Sequence, residues 1–252
     1  MTIQGVHEIR EAYRDSSVAS HYIDARFLEP LGAMLHARQV AELRRAIRRA
    51  RPRRILEIGP GPARLTVEVA KMTGARGVLV DASAAMLEQA RRRLARVTRR
   101  PWALVHGDAF ALPFAAARFD FVYSFRLIRH FEAAERRRLH AEIARVLRPG
   151  GTLVFDAVNE VVSRPLRTGA RPDEYAHFDA LHRADALRAE VEAAGFEVVS
   201  LRGAQRRYGL LRALQILLAP RSRVLARLAM EAVDRIGDGD PLEWIVTCRR
   251  RG

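Results

Sequence analysis

The sequence predicts an α/β fold in which a mostly parallel β-sheet is covered by helices. Short apolar runs alternate along the chain with segments in which apolar residues recur at helical spacing. This alternation is typical of βαβ units, whose crossover helices join parallel strands. Several of the apolar runs also end in an acidic or polar residue. Because parallel strands present their carboxyl ends at one edge of the sheet, these residues are predicted to meet there.

The first predicted strand and the loop after it form the most informative segment. The strand carries Glu57 near its end, and Gly59 and Gly61 follow directly. Glycines at these positions let backbone N–H groups approach a bound small molecule. A dinucleotide-binding loop has a third glycine at its sixth position, where this chain has Arg64, and no P-loop lysine follows. The segment therefore favours a nucleotide-type cofactor, with an ordinary structural turn as the alternative.

The next three predicted strands repeat the pattern. The second ends in Asp81, and Ser83 is placed to cap the following helix. Asp81 follows the glycines by the distance at which the next strand returns beside the first, so its carboxylate can accept from ribose hydroxyls. The alternative for Asp81 is an ordinary acid at a helix start. Asp108 follows the third strand and Ser124 ends the fourth, so four strands supply polar residues to one edge.

The second half of the sheet is predicted from the same alternation. An amphipathic helix over 132–147 stops before Arg148-Pro149-Gly150-Gly151, because proline and glycine end helices. The later predicted elements are a strand at 152–156, a helix at 187–194, a strand at 195–199 and a final strand at 244–248.

Together these motifs resemble class I S-adenosylmethionine-dependent methyltransferases, in the small-molecule group that includes ubiquinone- and menaquinone-biosynthesis enzymes. The resemblance covers about residues 50–157, with one departure at Ala63, where the family has a third loop glycine. It implies a Rossmann-like, seven-stranded, mostly parallel sheet with helices on both faces, an antiparallel last strand, and N-terminal and C-terminal helical lid segments. The matching motifs are Leu56–Gly61, Val80–Ser83 with Met86 and Leu87, Gly107–Ala109, Leu112–Phe114, Phe119–Val122, Ser124–Phe125 and Arg145–Gly151.

The resemblance also implies a domain plan and a cofactor. The cofactor is S-adenosylmethionine, and the product is S-adenosylhomocysteine. The chain is expected to form one domain over 1–252, with a helical cap at 1–50, a cofactor-binding core at 51–157, substrate or lid insertions at 158–183 and 203–241, and the last strand at 242–250.

The family assigns a role to each matching position of the cofactor site. The N-terminal helices are expected to lie over the cofactor, where Tyr22 and Arg26 would meet its sulfonium or carboxylate; surface helix packing is the alternative. The other expected cofactor residues are Glu57 at the amino group, Gly59, Pro60 and Gly61 at the methionine moiety, Asp81 at the ribose, Ala82 and Met86 at the adenine, Asp108 at the adenine amino group beside Ala109 and Phe110, and Ser124 near the sulfonium.

Three segments outside the core are expected to set the substrate. The first is helical from about Val18 and broken near Pro30. The second is a long connection after the fifth strand, and long loops are usually functional or mobile. The third is divided by Pro220 into two helical pieces whose apolar spacing favours a buried lid face, with a membrane-surface or lipid-binding helix as the alternative. The candidate substrate residues in the first two segments are Tyr13, His21, Tyr175, His177 and His182.

The expected mechanism is in-line displacement at an already activated methyl group, so positioning and electrostatics dominate. His130, after the Ser124 turn, is the candidate general base, and a structural histidine is the alternative. The spacing of His, Cys and Asp residues matches no metal site, so no metal is predicted. The nature of the acceptor atom and the oligomeric state do not follow from the sequence.

The composition of the chain limits where the protein is expected to work and what it is expected to bind. The chain has 252 residues, a formal net charge of +15 and one cysteine, Cys248. One cysteine allows no internal disulfide, and no secretory or membrane-spanning segment is recognisable, so a cytoplasmic protein is predicted. The charge is almost all arginine, in clusters typical of solvated helix faces. Such clusters can also attract RNA or an acidic membrane, which leaves an RNA methyltransferase, a methyltransferase of a lipid or quinone at the membrane surface, and a non-catalytic cofactor-binding scaffold as alternatives.

Overall fold

A computed structural model describes residues 27, 29–99, 102–168, 178–236 and 238–252 of the chain. Within these ranges, eight strands form one sheet. They are β1 (Arg54–Ile58), β2 (Arg76–Asp81), β3 (Ala103–His106), β4 (Phe119–Ser124), β5 (Leu147–Asn159), β6 (Leu181–His182), β7 (Phe196–Arg206) and β8 (Pro241–Arg250).

The sheet confirms the predicted Rossmann-like arrangement. Seven strands follow the order β3-β2-β1-β4-β5-β8-β7, and the two-residue β6 pairs in parallel with β5. Strand β8 is antiparallel to both of its neighbours, whereas the pairs from β3 to β5 are parallel. The carboxyl ends of the parallel strands therefore lie at one edge, as the strand-end acids predict.

Helices cover both faces of this sheet. The described helices are α1 (Pro30–Ala50), α2 (Thr66–Met72), α3 (Ala84–Ala95), α4 (Ala133–Val146), α5 (Glu160–Thr168), α6 (Ala184–Ala193), α7 (Tyr208–Leu218) and α8 (Arg223–Arg235), with a 3₁₀ turn at Ile128–His130.

Two apolar cores lie on opposite sides of the sheet because successive strand residues point to opposite faces. In β1, Ile55 packs with residues of α1, α2 and α3, while Leu56 packs with residues of α4 and α6. Both side chains are fully buried. A strand covered on both faces reads as a continuous apolar run, and this is why the sequence pattern was clear here.

Helix starts follow local capping chemistry. The Ser83 hydroxyl accepts from the Met86 N–H at 3.2 Å, as predicted for the cap of α3. Pro30 is the first residue of the 21-residue helix α1. Proline suits this position because its fixed φ matches the helix and its missing N–H would have no partner there.

The connection after β5 differs from the long loop that the sequence suggests. Strand β5 continues to Asn159, and α5 follows directly. The Asn159 side chain supports this junction, since it accepts from the Val161 N–H at 3.1 Å and donates to the Pro241 carbonyl at 2.8 Å. Pro165 lies inside α5, where proline is disfavoured, so the segment does not have the sequence pattern of a helix.

The two helices on either side of Pro220 form a hairpin that packs on the first half of α1. A small apolar cluster joins Leu31 and Met34 of α1 to Leu211 and Met230 of the hairpin. The Leu31 N–H donates to the Gln215 side chain at 2.9 Å. Among the described residues, every helix is too short or too polar to serve as a membrane span.

Gly77 gives a direct test of the packing between β2 and Trp102. A Cβ atom at Gly77 would overlap the buried indole ring of Trp102. We expect Gly77→Ala to lower the free energy of unfolding by about 1–3 kcal/mol, measured by urea denaturation. Gly209→Ala is the matched control, because a Cβ there meets nothing within 4 Å. Equal losses in the two variants would contradict the packing.

Candidate functional site

A pocket opens at the carboxyl edge of the sheet. Concave pockets of this kind are where proteins usually bind small molecules. One side is formed by the loop after β1 together with the ends of β2 and β3, and the other by the turn after β4. The pocket thus lies at the point where the strand order changes direction between β1 and β4.

The loop after β1 has a backbone shape that favours glycine. Gly59 and Gly61 have φ values of +65° and +53°. A Cβ on Gly59 would press against the Leu127 side chain at 2.9 Å. Ala63 also has a positive φ, +59°, so this chain keeps a left-handed conformation at the position where the resembling family has glycine. The loop leaves open space next to its backbone because two of its residues lack side chains.

Glu57 lies at the base of the pocket and is almost completely buried. Its Oε2 accepts hydrogen bonds from the hydroxyls of Tyr123, at 2.7 Å, and Thr66. Burial raises the pKa of Glu57 to about 7, against the opposing effects of these hydrogen bonds and of the Arg64 charge. A carboxyl group in this state gains strongly from a nearby cation, because the cation stabilises its charged form.

Asp81 ends β2 and faces the same pocket. Its Oδ2 accepts from the Gly61 N–H at 3.0 Å and its Oδ1 accepts from the Ser83 N–H at 2.9 Å. Burial raises its pKa despite these bonds. A carboxylate can accept about four hydrogen bonds, so Asp81 can also take donors from a ligand such as a vicinal diol.

Asp108 provides a third carboxylate on this side. Its Oδ1 accepts from the Phe110 N–H at 2.9 Å, which fixes the turn after β3. Asp108 and Phe110 both line the pocket, as do Ala82 and Met86 across from them. A flat ring between these walls would meet apolar surface with one acidic group at its edge.

The opposite wall combines apolar side chains with a histidine. Phe125, Leu127 and Phe131 line it, with His130 between them. The His130 Nδ1 lies 2.9 Å from the Phe178 carbonyl oxygen, which can only accept, so Nδ1 carries the proton in this contact. Burial lowers the pKa of His130 to about 4. The ring is therefore neutral at pH 7, and its Nε2 carries the lone pair.

A buried network of ion pairs supports this wall. The Arg129 guanidinium donates to Glu243 at 2.8 Å, to Asp156 at 3.2 Å and to Asp179 at 2.9 Å. Asp179 also accepts from Arg167 at 2.5 Å. The surrounding carboxylates hold the pKa of Arg129 above its usual range, which keeps it charged. The network ties the residues next to His130 to β5, β8 and the segment before β6.

The sequence patterns did not identify Arg129 or its partners, because the network joins residues far apart in the chain. Arg129 and Glu243 are separated by 114 positions. Buried arginine is rare in proteins. In a chain with so many arginines, no local pattern distinguishes a buried one from the others. The only available sequence signal is the position of Arg129 in the turn after β4.

Arg64 is a second pocket residue whose role the sequence left unassigned. Its guanidinium lies 3.8 Å from the centre of the Phe27 ring and donates to Gln39 at 2.7 Å and to His36 Nδ1 at 2.5 Å. Burial and the Arg64 charge lower the pKa of His36 to about 4, so these three partners are uncharged at pH 7. Arg64 thus brings a positive charge to the pocket and links α1 to the loop after β1.

Most of the described candidate residues converge on this pocket, and two lie elsewhere. Ser124 is fully buried, and its hydroxyl donates to the Ile58 carbonyl at 2.8 Å. His182 lies in β6, where the charges of Arg136 and Glu190 act on it. Tyr13, His21, Tyr22, Arg26, Tyr175 and His177 lie outside the described residues. The candidates that line the pocket are Glu57, Gly59, Pro60, Gly61, Asp81, Ala82, Met86, Asp108, Ala109, Phe110 and His130.

Within the described ranges, His, Cys, Asp and Glu side chains form no group of three that could hold a metal ion.

Comparison with known proteins finds sequence similarity in the same part of the chain. Methyltransferase domains match residues 55–151. A malonyl-[acyl-carrier protein] O-methyltransferase of Legionella pneumophila is 36% identical over 128 residues, which is 50% of this chain and 44% of that protein. A similar enzyme of Methylococcus capsulatus is 33% identical over 60% of this chain and 54% of its own length. The chain therefore spans about half the length of the curated relatives it matches.

A solved structure shares the fold over nearly the whole chain. The magnesium protoporphyrin IX methyltransferase of Synechocystis, solved with bound S-adenosylhomocysteine, aligns with a TM-score of 0.65 at 12% identity, over 96% of this chain and 97% of its own.

The buried carboxyl group of Glu57 predicts an unusual pH dependence of stability. Its pKa is higher in the folded protein than in the unfolded chain, so its contribution to stability is largest below about pH 4.5 and is lost as the pH rises through 7. We expect Glu57→Gln to be more stable than the wild type at pH 8, by up to about 3 kcal/mol, and to lose that advantage at pH 5. Chemical denaturation at both pH values measures the difference, with Glu197→Gln on the exposed surface of β7 as the control. An equal gain in stability of Glu57→Gln at pH 5 and pH 8 would contradict the raised pKa of Glu57.

Proposed function

We propose that this chain is a class I S-adenosylmethionine-dependent methyltransferase, which binds S-adenosylmethionine in the pocket and transfers its methyl group to a small organic metabolite. The observation that carries the proposal is the convergence of Glu57, Asp81 and Asp108 on one glycine-bounded pocket. Three acids at successive strand ends suit a ligand with an ammonium group, a ribose diol and an exocyclic amine.

The charges of the pocket fit this cofactor residue by residue. Glu57 would pair with the amino group, whose positive charge stabilises the carboxylate form. Asp81 would accept from the ribose hydroxyls, and Asp108 from the adenine amino group. Arg64, which lines the same pocket, would pair with the carboxylate of the methionine moiety. This assignment gives each charged end of the ligand a partner of opposite sign.

The bound cofactor supplies a methyl group that its sulfonium already activates. The chain contributes position and surroundings, which dominate the barrier of such a transfer. The apolar wall of Phe125, Leu127 and Phe131 excludes water from the acceptor side. His130, neutral and with its lone pair on Nε2, would take a proton from a hydroxyl or ammonium acceptor. Arg126, which also lines the pocket, would attract an acceptor that carries a negative group.

Several facts support a small organic acceptor over RNA. Two similar proteins are named for O-methylation of a malonyl group on a carrier protein. The arginine clusters of this chain are partly engaged in local ion pairs, as Arg91 and Arg92 are with Glu88. Stacking platforms for single-stranded RNA combine basic grooves with aromatic side chains, and the arginine clusters are not interleaved with aromatic residues.

A cytoplasmic location is part of the proposal. The thiol of Cys248, the single cysteine of the chain, is buried next to the α6 side of the sheet. A chain without a possible internal disulfide suits a reducing compartment.

Asp81 provides the test of cofactor binding. We expect Asp81→Ala to weaken binding of S-adenosylhomocysteine about 10–100-fold in isothermal titration, because hydrogen bonds to a carboxylate are lost. Asp120→Ala is the matched control. Asp120 also accepts from two backbone N–H groups, those of Arg53 and Arg54, but at the opposite edge of the sheet. The control variant should keep its affinity, and unchanged affinity in Asp81→Ala would refute the proposed site.

His130 provides the test of transfer. With radiolabelled S-adenosylmethionine and a fractionated metabolite extract, the wild type should label a small-molecule fraction rather than RNA. We expect His130→Gln to lower the rate of labelling about 10²–10⁴-fold while S-adenosylhomocysteine affinity stays within a few-fold. Full activity of this variant would remove His130 as the base. Cofactor binding without labelling of any fraction would instead favour a non-catalytic scaffold.

A further inference from the structure

The hairpin of α7 and α8, residues 208–236, carries an unusual concentration of exposed apolar side chains. Seven of the ten large apolar residues that are exposed on the described surface belong to it. Val224 is 71% exposed and Ile216 is 63% exposed. Large contiguous apolar surface is rare on monomeric proteins and marks interaction sites. The seven residues are Leu210, Ile216, Leu217, Val224, Leu225, Leu228 and Ile236.

The hairpin is apolar on two faces, and only one of them packs on the protein. The inner face includes Leu211 and Met230, which are fully buried against α1. The outer face of α8 presents Leu225 and Leu228, and Ile236 follows at the C-cap; the three residues recur at intervals of three and eight and so lie along one side of the helix. Packing against α1 therefore explains why the inner face is apolar. It does not explain the apolar residues of the outer face.

The hairpin also carries several arginines. The segment 208–236 contains five arginines and two acids, Glu231 and Asp234, for a formal charge of +3 (5 − 2). Asp234 is buried in an ion pair with Arg38, so it adds little negative charge to the surface. Arg223 pairs with Glu29, and Arg227 and Arg235 pair with Glu231, but these arginines remain 57–74% exposed. Counting Glu29 and Arg38 together with the segment leaves the formal charge at +3 (6 − 3). A helical hairpin that exposes both aliphatic side chains and arginines suits the interface of an anionic bilayer.

The composition of the outer face favours lipid over a protein partner. Its exposed large apolar residues are all aliphatic, whereas the energetic centres of protein interfaces are enriched in tryptophan and tyrosine. A two-fold interface between copies of this chain would bring the two positive hairpins together, and like charges would oppose that contact. An anionic membrane surface has neither difficulty.

The topology places the hairpin at the same end of the sheet as the pocket. Strands β5 and β7 are each antiparallel to β8, so they run in the same direction. The hairpin follows the carboxyl end of β7 and therefore leaves the sheet at the edge where the pocket opens. A membrane bound to the hairpin would lie near that edge.

We propose that the α7–α8 hairpin docks the protein on an anionic phospholipid surface, with its outer leucines in the interface and its arginines at the lipid phosphates. The proposal concerns a surface outside the pocket and does not depend on the methyl-transfer activity.

Vesicle co-sedimentation of the full chain tests the docking. Vesicles of phosphatidylcholine alone are compared with vesicles that also contain phosphatidylglycerol. The wild type should bind the anionic vesicles, and Leu225→Gln/Leu228→Gln should lower that binding at least about tenfold, since two apolar side chains are lost from the interface. Val97→Gln, which replaces an exposed apolar residue outside the hairpin, is the control and should bind like the wild type.

A second pair of variants separates the hairpin from the overall positive charge. Arg223→Gln/Arg227→Gln removes two charges from the hairpin, and Arg91→Gln/Arg92→Gln removes two equally exposed charges from α3. Only the first pair should weaken binding strongly. Equal losses in both pairs, or no binding of the wild type to anionic vesicles, would overturn the proposal. So would a dimer in solution that the leucine variant dissociates, because the outer face would then be an interface between two copies. Circular dichroism melting establishes that each variant is folded.

Discussion

The parallel strands β3, β2, β1, β4 and β5 all end at the same edge of the sheet, and this constraint determines where the chemistry of the protein lies. Each strand end delivers the next few residues to that edge, whatever the length of the helix that follows. Residues as far apart in sequence as Glu57 and His130 therefore share one pocket. Strand β7 runs in the same direction, so the α7–α8 hairpin leaves the sheet at this edge as well.

Burial destabilises the charged forms of two carboxyl groups in the pocket, and a bound cation can offset this destabilisation. Burial raises the pKa of both Glu57 and Asp81, so the folded protein disfavours their charged forms. Replacing such a carboxylate by a neutral residue of the same shape often stabilises a protein, because the desolvation penalty disappears. Carboxylates kept under this penalty indicate a role other than stability. A cationic ligand would stabilise the charged forms of these carboxyl groups. The same side chains would then lower the stability of the free protein and strengthen the binding of the ligand.

The sequence predicted the sheet and the pocket wall that carries Glu57, Asp81 and Asp108, because both depend on local patterns. Glu57 and Asp81 could be placed from the strands that they end, since a strand fixes the position of its last residues. Ser124 shows the limit of this reasoning. It does end β4, but its side chain turns to the Ile58 carbonyl of the neighbouring strand, and strand position alone does not decide between the two sides. Arg64 and Arg129 could not be placed, because their partners come from other elements and only the folded chain brings them together.

The two sides of the pocket also come from different parts of the chain. The wall from Glu57 to Phe110 lies entirely inside the stretch that matches methyltransferase domains. The opposite wall includes His130 from the same stretch, but Asp156, Asp179 and Glu243, which support it, all lie beyond residue 151. On the proposed function, the first wall would hold the cofactor. The supports of the opposite wall lie outside the matched stretch, so a change of acceptor could be accommodated there without altering the residues that hold the cofactor.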